Sequence, residues 1–311
     1  MKPYAFGVDI GGTTVKIGLF KTDGTLLEKW EIPTRTEDGG SGILPDIRDA
    51  VLGKIEEKKL DIKDFEGIGM GVPGPVSPDG TVLKCVNLGW GVFNVEDQLS
   101  ELTGLKVKAG NDANVAALGE MWQGGGKGFK NMVMVTLGTG VGGGIILDER
   151  ILAGVNGAAG EIGHMTMRDD ETEKCGCGKK GCLEQYASAT GIVRITRKYL
   201  KAHPDEETCL KESSLTSKDI FDAAKAGDKV ALLMVEELGD MLGKATASVA
   251  CVVNPEAFVI GGGVARAGQI LLDAVAEHFP KYCFHACKNT TFRLAQLGND
   301  AGIFGGVRLV L

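Results

Sequence analysis

Residues 8–13 read VDIGGT, and residues 135–140 read VTLGTG. Each segment is a short run rich in β-branched residues that enters a turn of glycine and threonine, and a second apolar run follows. The spacing predicts two β-hairpins of the same design, one in each half of the chain. We therefore expect a duplicated α/β unit, because one supersecondary arrangement occurs twice.

Around the first hairpin, apolar runs at 5–10, 15–20 and 26–32 predict three strands. Their connections are too short for a crossover helix, so the strands should pair antiparallel. Apolar residues then recur at helical spacing over 44–55, and residues 67–72 predict the next strand, parallel to the first. This pattern indicates an α/β half with a mixed sheet.

The second half repeats that order and then becomes helical. Residues 144–147 and 151–153 predict the returning strands of the second hairpin. A buried strand at 258–260 runs into the glycines at 261–263, then a loop and a helix. Three further helices are predicted at 184–200, at 217–226 with Ser217 as N-cap, and at 228–253, ended by Asn254 and Pro255.

The bulk composition is that of a globular protein. With 311 residues, the chain exceeds one ordinary core, so two domains are expected. Hydrophobic residues make up 43% and charged residues 24%, and no apolar run reaches the length of a membrane span. The net charge of −7 argues against nucleic acid as a partner, because phosphate binding needs clustered Lys and Arg. We expect no membrane partner and a cytoplasmic location.

One imidazole and three thiols lie close together at metal-ligand spacing, at His164, Cys175, Cys177 and Cys182. This donor set favours a closed, tetrahedral structural zinc site with no position for an activated water. Glu161 and Glu184 flank the set, so the metal should hold a loop that presents both carboxylates and the far side of the His164 ring to a hydroxylated ligand. The other five cysteines are predicted to be packing residues: Cys85, Cys209, Cys251, Cys283 and Cys287.

The glycines at 138–143 match G-x-G-x-x-G, the pattern of a dinucleotide fold. That fold requires a helix directly afterwards, whereas residues 144–147 are strand-like, so we reject this interpretation. The turns at 9–14 and 137–144 would instead present backbone N–H groups and Thr hydroxyls to phosphate oxygens, with Asp9 available for Mg²⁺. The alternative, that tight hairpins simply need glycine, stays open at each turn.

Asn111 and Asp112 stand at the end of a predicted strand and open a helix over 113–122. Either residue type is typical of a helix N-cap. A carboxylate placed there also points out at the strand ends, where open α/β sheets bind ligands. Phosphoryl transfer to an alcohol needs one carboxylate to accept the hydroxyl proton, and Asp112 is our candidate base.

Taken together, these residues resemble the ROK family of bacterial sugar kinases and repressors, and within it the ATP-dependent glucokinases. The resemblance covers nearly the whole chain, and the cysteine run after Glu161-x-Gly163-His164 is its most specific part. It implies a two-domain actin-like and hexokinase-like (ribonuclease H-like) ATPase fold with duplicated α/β domains. The expected boundaries are 1–111 plus 299–311 for a small domain and 112–298 for a large domain with the zinc loop.

The resemblance also implies roles for individual residues. Asp112 would be the base, and the zinc ligands would be the four named above. The sugar would be bound by Asn87, Asn111, Asp112, Glu161, His164 and Glu184. The loops at 71–76 and 87–90 would line the sugar side, although ordinary Gly/Pro turns remain an alternative. ATP would be bound by Asp9, Gly11, Gly12, Thr13, Thr14, Gly138, Thr139, Gly140, Gly262 and Gly263.

The predicted reaction is phosphorylation of a hexose by Mg-ATP in an interdomain cleft, glucose giving glucose 6-phosphate. N-acetylmannosamine, N-acetylglucosamine, fructose or allose as acceptor, or polyphosphate as donor, stay open. A sugar-sensing repressor is expected to carry an N-terminal DNA-binding segment before the phosphate-binding strand, which here begins at Ala5. A chaperone or filament ATPase would lack the zinc loop. The resemblance further implies a homodimer or homotetramer.

Overall fold

The computed structural model describes residues 2–311. The strands are β1 Tyr4–Ile10, β2 Thr14–Lys21, β3 Leu26–Pro33, β4 Phe65–Val72, β5 Thr81–Val82, β6 Phe93–Asn94, β7 Val107–Asn111, β8 Met132–Leu137, β9 Val141–Leu147, β10 Arg150–Ile151, β11 Ala257–Gly261 and β12 Thr291–Leu294. The helices are α1 Glu37–Gly40, α2 Ile43–Glu57, α3 Val95–Thr103, α4 Asp112–Gln123, α5 Glu184–Ala187, α6 Ala189–Ala202, α7 Ser217–Lys225, α8 Lys229–Val253, α9 Gln269–Tyr282 and α10 Ala301–Val310. Short 3-10 turns cover Ile62–Asp64, Val86–Leu88, Ile162–His164, Glu212–Ser214, Val264–Ala267, His285–Cys287 and Gly298–Asp300.

Two five-stranded sheets have the same design. The first has the order β3-β2-β1-β4-β7, and the second has the order β10-β9-β8-β11-β12. In the first sheet β1 to β3 pair antiparallel, and β4 and β7 then continue parallel to β1. In the second, β10 pairs antiparallel with β9, whereas β11 pairs parallel with both β8 and β12. The predicted duplication is therefore confirmed.

Glycines on the first sheet allow α10 to pack directly on its backbone. A Cβ atom on Gly7 of β1 would lie 1.9 Å from the carbonyl oxygen of Ile303, and one on Gly69 of β4 would lie 1.7 Å from that of Gly306. No side chain fits at either position. Helix and strands thus approach closely, and this approach brings the first turn of α10 to the end of β1.

The predicted elements agree with the structure except at two details of the helices and one of the strands. The helix expected over 184–200 is broken at Ser188, whose side chain accepts the Gly191 N–H and so begins α6 as a new helix. The N-cap of α7 is Thr216 and not Ser217, because Thr216 and Asp219 form a reciprocal capping box. The strand expected at 151–153 ends at Ile151, as the two-residue β10.

The chain forms two compact units. The first unit comprises 1–130, 144–160 and 297–311, and the second comprises 131–143 and 161–296. The domain boundaries expected from the sequence stay a prediction. Among residues 2–311, no helix combines the length and the apolar character needed to cross a membrane.

Candidate active site

Asp9 lies at the carboxyl end of β1, in the first unit. In the strand register Asp9 pairs with Gly71 of β4, which in turn pairs with Gly110 of β7. A Cβ atom on Gly302 of α10 would lie 2.6 Å from a carboxylate oxygen of Asp9, so only glycine leaves room for that carboxylate. Burial, and then the charge of Asp112, raise the pKa of Asp9 to about 6.

The first turn, residues 11–14, joins β1 to β2 and is closed by its own backbone. The Gly11 N–H donates to the Thr14 carbonyl at 2.9 Å, and the Thr34 hydroxyl donates to the Gly11 carbonyl at 2.7 Å. Within residues 2–311, the N–H groups of Gly12 and Thr13 have no protein acceptor. They are the donors that the sequence predicted for phosphate oxygens.

Asn111 ends β7, and Asp112 is the first residue of α4. The Asn111 side chain accepts the Asn114 N–H at 3.2 Å, so Asn111 is the N-cap. Of the two residues whose side chains suit an N-cap, Asn111 is thus the cap and Asp112 is the first residue of the helix. Asp112 Oδ1 instead accepts the Ala113 N–H at 2.8 Å and the Asn111 side-chain amide at 3.0 Å. Its carboxylate therefore sits in the first turn of α4, where the helix dipole stabilises negative charge.

Gly71 separates the two acidic residues. A Cβ atom on Gly71 would lie 3.4 Å from both Asp112 Cα and Asp9 Oδ1. Burial raises the pKa of the nearby Cys85 thiol, and the negative charge of Asp112 adds a smaller contribution in the same direction. The ends of β1, β4 and β7 thus bring together the Mg²⁺ candidate and the base candidate that the sequence identified.

Asn87 lies in the 3-10 turn Val86–Leu88, also in the first unit. Leu88 and Trp90 are buried beside it, and the Trp90 indole N–H donates to the Gly40 carbonyl at 3.1 Å. Asn87 itself is exposed at the tip of the loop. Two buried side chains therefore hold the loop and leave the amide of Asn87 accessible.

In the second unit, the second turn, residues 138–141, joins β8 to β9. The Gly138 N–H donates to the Gly140 carbonyl at 2.9 Å. The N–H groups of Thr139 and Gly140 have no protein acceptor anywhere in the described part of the chain. As predicted, no helix follows this glycine pattern, because β9 begins at Val141.

Gly262 and Gly263 follow β11, the neighbour of β8. Gly262 has a φ of 84°, and a Cβ atom there would lie 2.5 Å from the Leu137 carbonyl oxygen, so glycine is required on both counts. A cavity of about 250 Å³ begins at Gly263 and is lined by residues of α7 and of the following 3-10 turn. The sequence analysis missed these lining residues, because the pattern of α7 indicates only an amphipathic helix. Phe221, Lys225 and Arg266 are among them.

The four predicted metal ligands come together. The ligand atoms of His164, Cys175, Cys177 and Cys182 all lie within 4.8 Å of one another. Cys175 Sγ is 3.9 Å from His164 Nδ1, and Cys177 Sγ is 3.6 Å from Cys182 Sγ. The metal loop, residues 164–182, is folded by short backbone hydrogen bonds, among them the Cys175 N–H to the Lys179 carbonyl at 2.7 Å. The distances between the donor atoms are those expected among the ligands of a tetrahedral metal site.

The two flanking carboxylates differ in their surroundings. Glu161 is exposed and directly precedes the 3-10 turn that carries His164. Glu184 begins α5 and is partly buried; its Oε2 accepts the Val141 N–H at 3.1 Å, and its Oε1 lies 3.5 Å from Cys175 Sγ. The structure therefore places Glu184 between the metal ligands and the second turn. No hydrogen bond joins Glu161 to Glu184 within residues 2–311.

The remaining cysteines divide into two groups. Cys85 and Cys287 are buried, as predicted for packing residues. Cys209 and Cys251 are exposed, and Cys283 is partly exposed, so the prediction is wrong for these three. A lone cysteine in a sequence carries no signal that separates the two cases.

Comparison with known proteins gives a consistent result. The model of the ROK family matches residues 5–311. A glucokinase of Halalkalibacterium halodurans is 48% identical over 309 residues, which cover 98% of this chain and 94% of that protein. The solved ROK family glucokinase of Streptomyces griseus, in complex with glucose and AMPPNP, is similar with a TM-score of 0.74 and 34% identity, covering 98% of each chain. A ROK family transcriptional regulator, a homologue of the E. coli MLC protein, has a TM-score of 0.84 at 26% identity and covers 99% of this chain and 77% of that chain.

Proposed function

This chain belongs to the ROK family, and from that premise we propose that it phosphorylates glucose with ATP, giving glucose 6-phosphate and ADP. The identity of 48% to a protein named glucokinase supports glucose over the other hexoses. The structural observation that carries the chemistry is the pair of carboxylates, Asp9 and Asp112, on either side of Gly71 at the ends of parallel strands.

Asp112 is the general base in this proposal. The 6-hydroxyl oxygen of the sugar attacks the γ-phosphorus, the bond from that phosphorus to the bridging oxygen of ADP breaks, and the hydroxyl proton passes to the Asp112 carboxylate. Phosphoryl transfer needs little more from the protein than this proton acceptor, correct positioning and neutralised charge. The bonds of Asp112 to Asn111 and Ala113 fix the carboxylate for that role.

Asp9 is the residue that we assign to Mg²⁺, directly or through water. Asp9 is buried beside a second carboxylate, and both effects raise its pKa. A bound divalent cation would stabilise the ionised form of such a carboxylate. When bound, Mg²⁺ neutralises charge on the ATP phosphates. The N–H groups of Gly12, Thr13, Thr139 and Gly140 are the proposed donors to those phosphates, and the cavity at Gly263 fits the adenosine part.

Zinc is the metal that we assign to His164, Cys175, Cys177 and Cys182. A Zn–S bond of about 2.3 Å in a tetrahedral site separates two sulfurs by about 3.8 Å, and the Cys177 and Cys182 sulfurs lie 3.6 Å apart. Burial raises the pKa of the Cys175 and Cys182 thiols, so that a dication is what would hold both as thiolates. The donor set fits zinc and leaves no open position, so the role is structural.

The sugar would be read by amide, carboxylate and imidazole groups. Asn87 and Asn111 offer amides from the first unit, whereas Glu161, His164 and Glu184 belong to the second. Because the thiol of Cys175 faces His164 Nδ1, the metal would occupy that nitrogen and leave Nε2 for a sugar hydroxyl. These protein groups each form a hydrogen bond with one hydroxyl of the correct sugar. A sugar with a hydroxyl in another orientation binds more weakly, because a polar group of the protein then stays without a partner. Cytoplasmic location and homo-oligomerisation stay predictions.

A coupled assay of ADP release over a sugar panel tests the proposal. The panel contains glucose, fructose, allose, N-acetylmannosamine and N-acetylglucosamine, each with ATP, ADP or polyphosphate as donor. We expect the highest kcat/KM for glucose with ATP. A higher kcat/KM for another sugar would identify that sugar as the substrate in place of glucose. Absence of turnover with every combination of sugar and phosphoryl donor would reject the kinase assignment.

A further inference from the structure

Three hydrogen bonds connect the second turn to the segment that leaves the metal loop. We call residues 184–190 the exit segment, since they follow Cys182. The Ala189 N–H donates to the Gly138 carbonyl at 2.8 Å, the Thr190 hydroxyl donates to the Thr139 carbonyl at 2.7 Å, and Glu184 accepts the Val141 N–H at 3.1 Å. The carbonyl groups of Gly138 and Thr139 and the N–H of Val141 are thus bound by this segment, and the Gly138 N–H is bound within the turn itself.

The entry of the metal loop touches the same turn. A Cβ atom on Gly163, the residue before His164, would lie 2.1 Å from the Val141 carbonyl oxygen. Only glycine allows this contact, and it places the backbone next to the first metal ligand directly against the end of the turn. Both ends of the metal loop therefore rest on the second turn, one through packing and one through hydrogen bonds.

The two carbonyl bonds also decide where the turn directs its N–H groups. In a trans peptide the N–H points away from the C=O of the same peptide plane. Because the Gly138 and Thr139 carbonyls point to α6, the N–H groups of Thr139 and Gly140 point to the opposite side. These are the two N–H groups of the turn without a protein acceptor. A carbonyl rotated to that side would repel a phosphate.

We propose that Thr190 is a positioning residue, whose hydroxyl orients the turn so that the Thr139 and Gly140 N–H groups point to the nucleotide phosphates. A glycine turn is costly to order, and a turn held in advance binds its ligand more tightly than a mobile one. Ser188 supports the arrangement: it is buried, donates to the Glu184 carbonyl at 2.7 Å and begins α6. The inference rests on the proposed function in taking this turn as part of the ATP site.

Calorimetric titration with Mg-AMPPNP and, separately, with adenosine tests the inference in the absence of sugar. Thr190→Val removes the donor and keeps the shape, and we expect its Kd for Mg-AMPPNP to rise about three- to tenfold, the loss typical of one hydrogen bond. Adenosine, which has no phosphates, should bind Thr190→Val as it binds the wild type. Thr190→Ser keeps the hydroxyl and should stay within about twofold of the wild type for both ligands.

Thr196→Val is the matched control. Thr196 lies on the same helix and donates to the Ile192 carbonyl at 2.7 Å, away from the turn. This variant should lower stability and leave the Kd for Mg-AMPPNP unchanged. Wild-type affinity for Mg-AMPPNP in Thr190→Val, or an equal loss for adenosine, overturns the inference while glucose phosphorylation by the wild type still stands. A wild-type protein that binds neither ligand overturns the inference and the proposed function together.

Discussion

Replacing Asp9 by Asn should stabilise the ligand-free protein and remove its activity. Burial and the charge of Asp112 raise the pKa of Asp9 from 3.8 to about 6, and the charge of Lys16 offsets only part of this effect. The native state therefore holds this proton more tightly than the unfolded state does. For such a carboxyl, native stability falls as pH rises from about 4 to about 6, and above that range the full penalty remains.

The size of the penalty follows from the two pKa values. A rise of about two units corresponds to about 3 kcal/mol at pH 7.5, and about half of that remains at pH 5, where most Asp9 is protonated in the native state. Asp9→Asn should remove the penalty. Its free energy of unfolding should exceed that of the wild type by up to about 3 kcal/mol at pH 7.5 and by about 1.5 kcal/mol at pH 5.

Urea denaturation at both pH values measures this difference. The buffer contains no Mg²⁺ and no chelator, so that the metal loop keeps its ion and Asp9 gains none. Asp205→Asn, at an exposed position, controls for the general effect of one lost negative charge. A difference between Asp9→Asn and the wild type that is zero at pH 7.5, or equal at both pH values, would refute the reasoning. Activity with Mg-ATP should be lost in Asp9→Asn at either pH.

Two further variants test other parts of the structure. Elemental analysis should find one zinc per wild-type chain, and zinc-free wild-type protein would contradict the assignment. Cys182→Ser should lose the zinc and unfold at a lower temperature. Cys287→Ser, the control at another buried cysteine, should keep the zinc. Gly302→Ala places a Cβ atom 2.5 Å from Asp9 Cγ and should lower kcat/KM for ATP at least about tenfold. Gly53→Ala, the control with open space around its Cβ atom, should leave the kinetics unchanged. Equal kinetics in the two variants would contradict the role of the contact between Gly302 and Asp9.

The sequence predicted the sheets well because their signals are local. Glycine and threonine at two hairpins, with β-branched runs on both sides, determine β1, β2, β8 and β9, and the short connections determine their direction. The metal ligands were equally accessible, since four donors within 19 residues can meet without knowledge of the rest of the fold. The same holds for Asp9 and Asp112, each at a strand end that the apolar pattern marks.

Features that depend on contacts between distant segments could not be predicted. Thr190 and Thr139 are 51 residues apart, and nothing in either sequence neighbourhood indicates that they meet. The cavity beside Gly263 combines α7 with a 3-10 turn about 40 residues later. The sequence also could not decide between adjacent cap residues: it predicted Ser217 where Thr216 caps α7, and it left Asn111 and Asp112 both open for α4. Either neighbour has a side chain able to cap, and only the backbone conformation decides.

The role of Asp112 is the central claim, and one comparison tests it most directly. Asp112→Asn keeps an oxygen that can accept the Ala113 N–H and removes the proton acceptor. We predict that this variant binds glucose and Mg-AMPPNP within a few fold of the wild type, while kcat for glucose 6-phosphate formation falls by at least about a hundredfold. A kcat close to that of the wild type, in a variant with intact binding, would contradict the account.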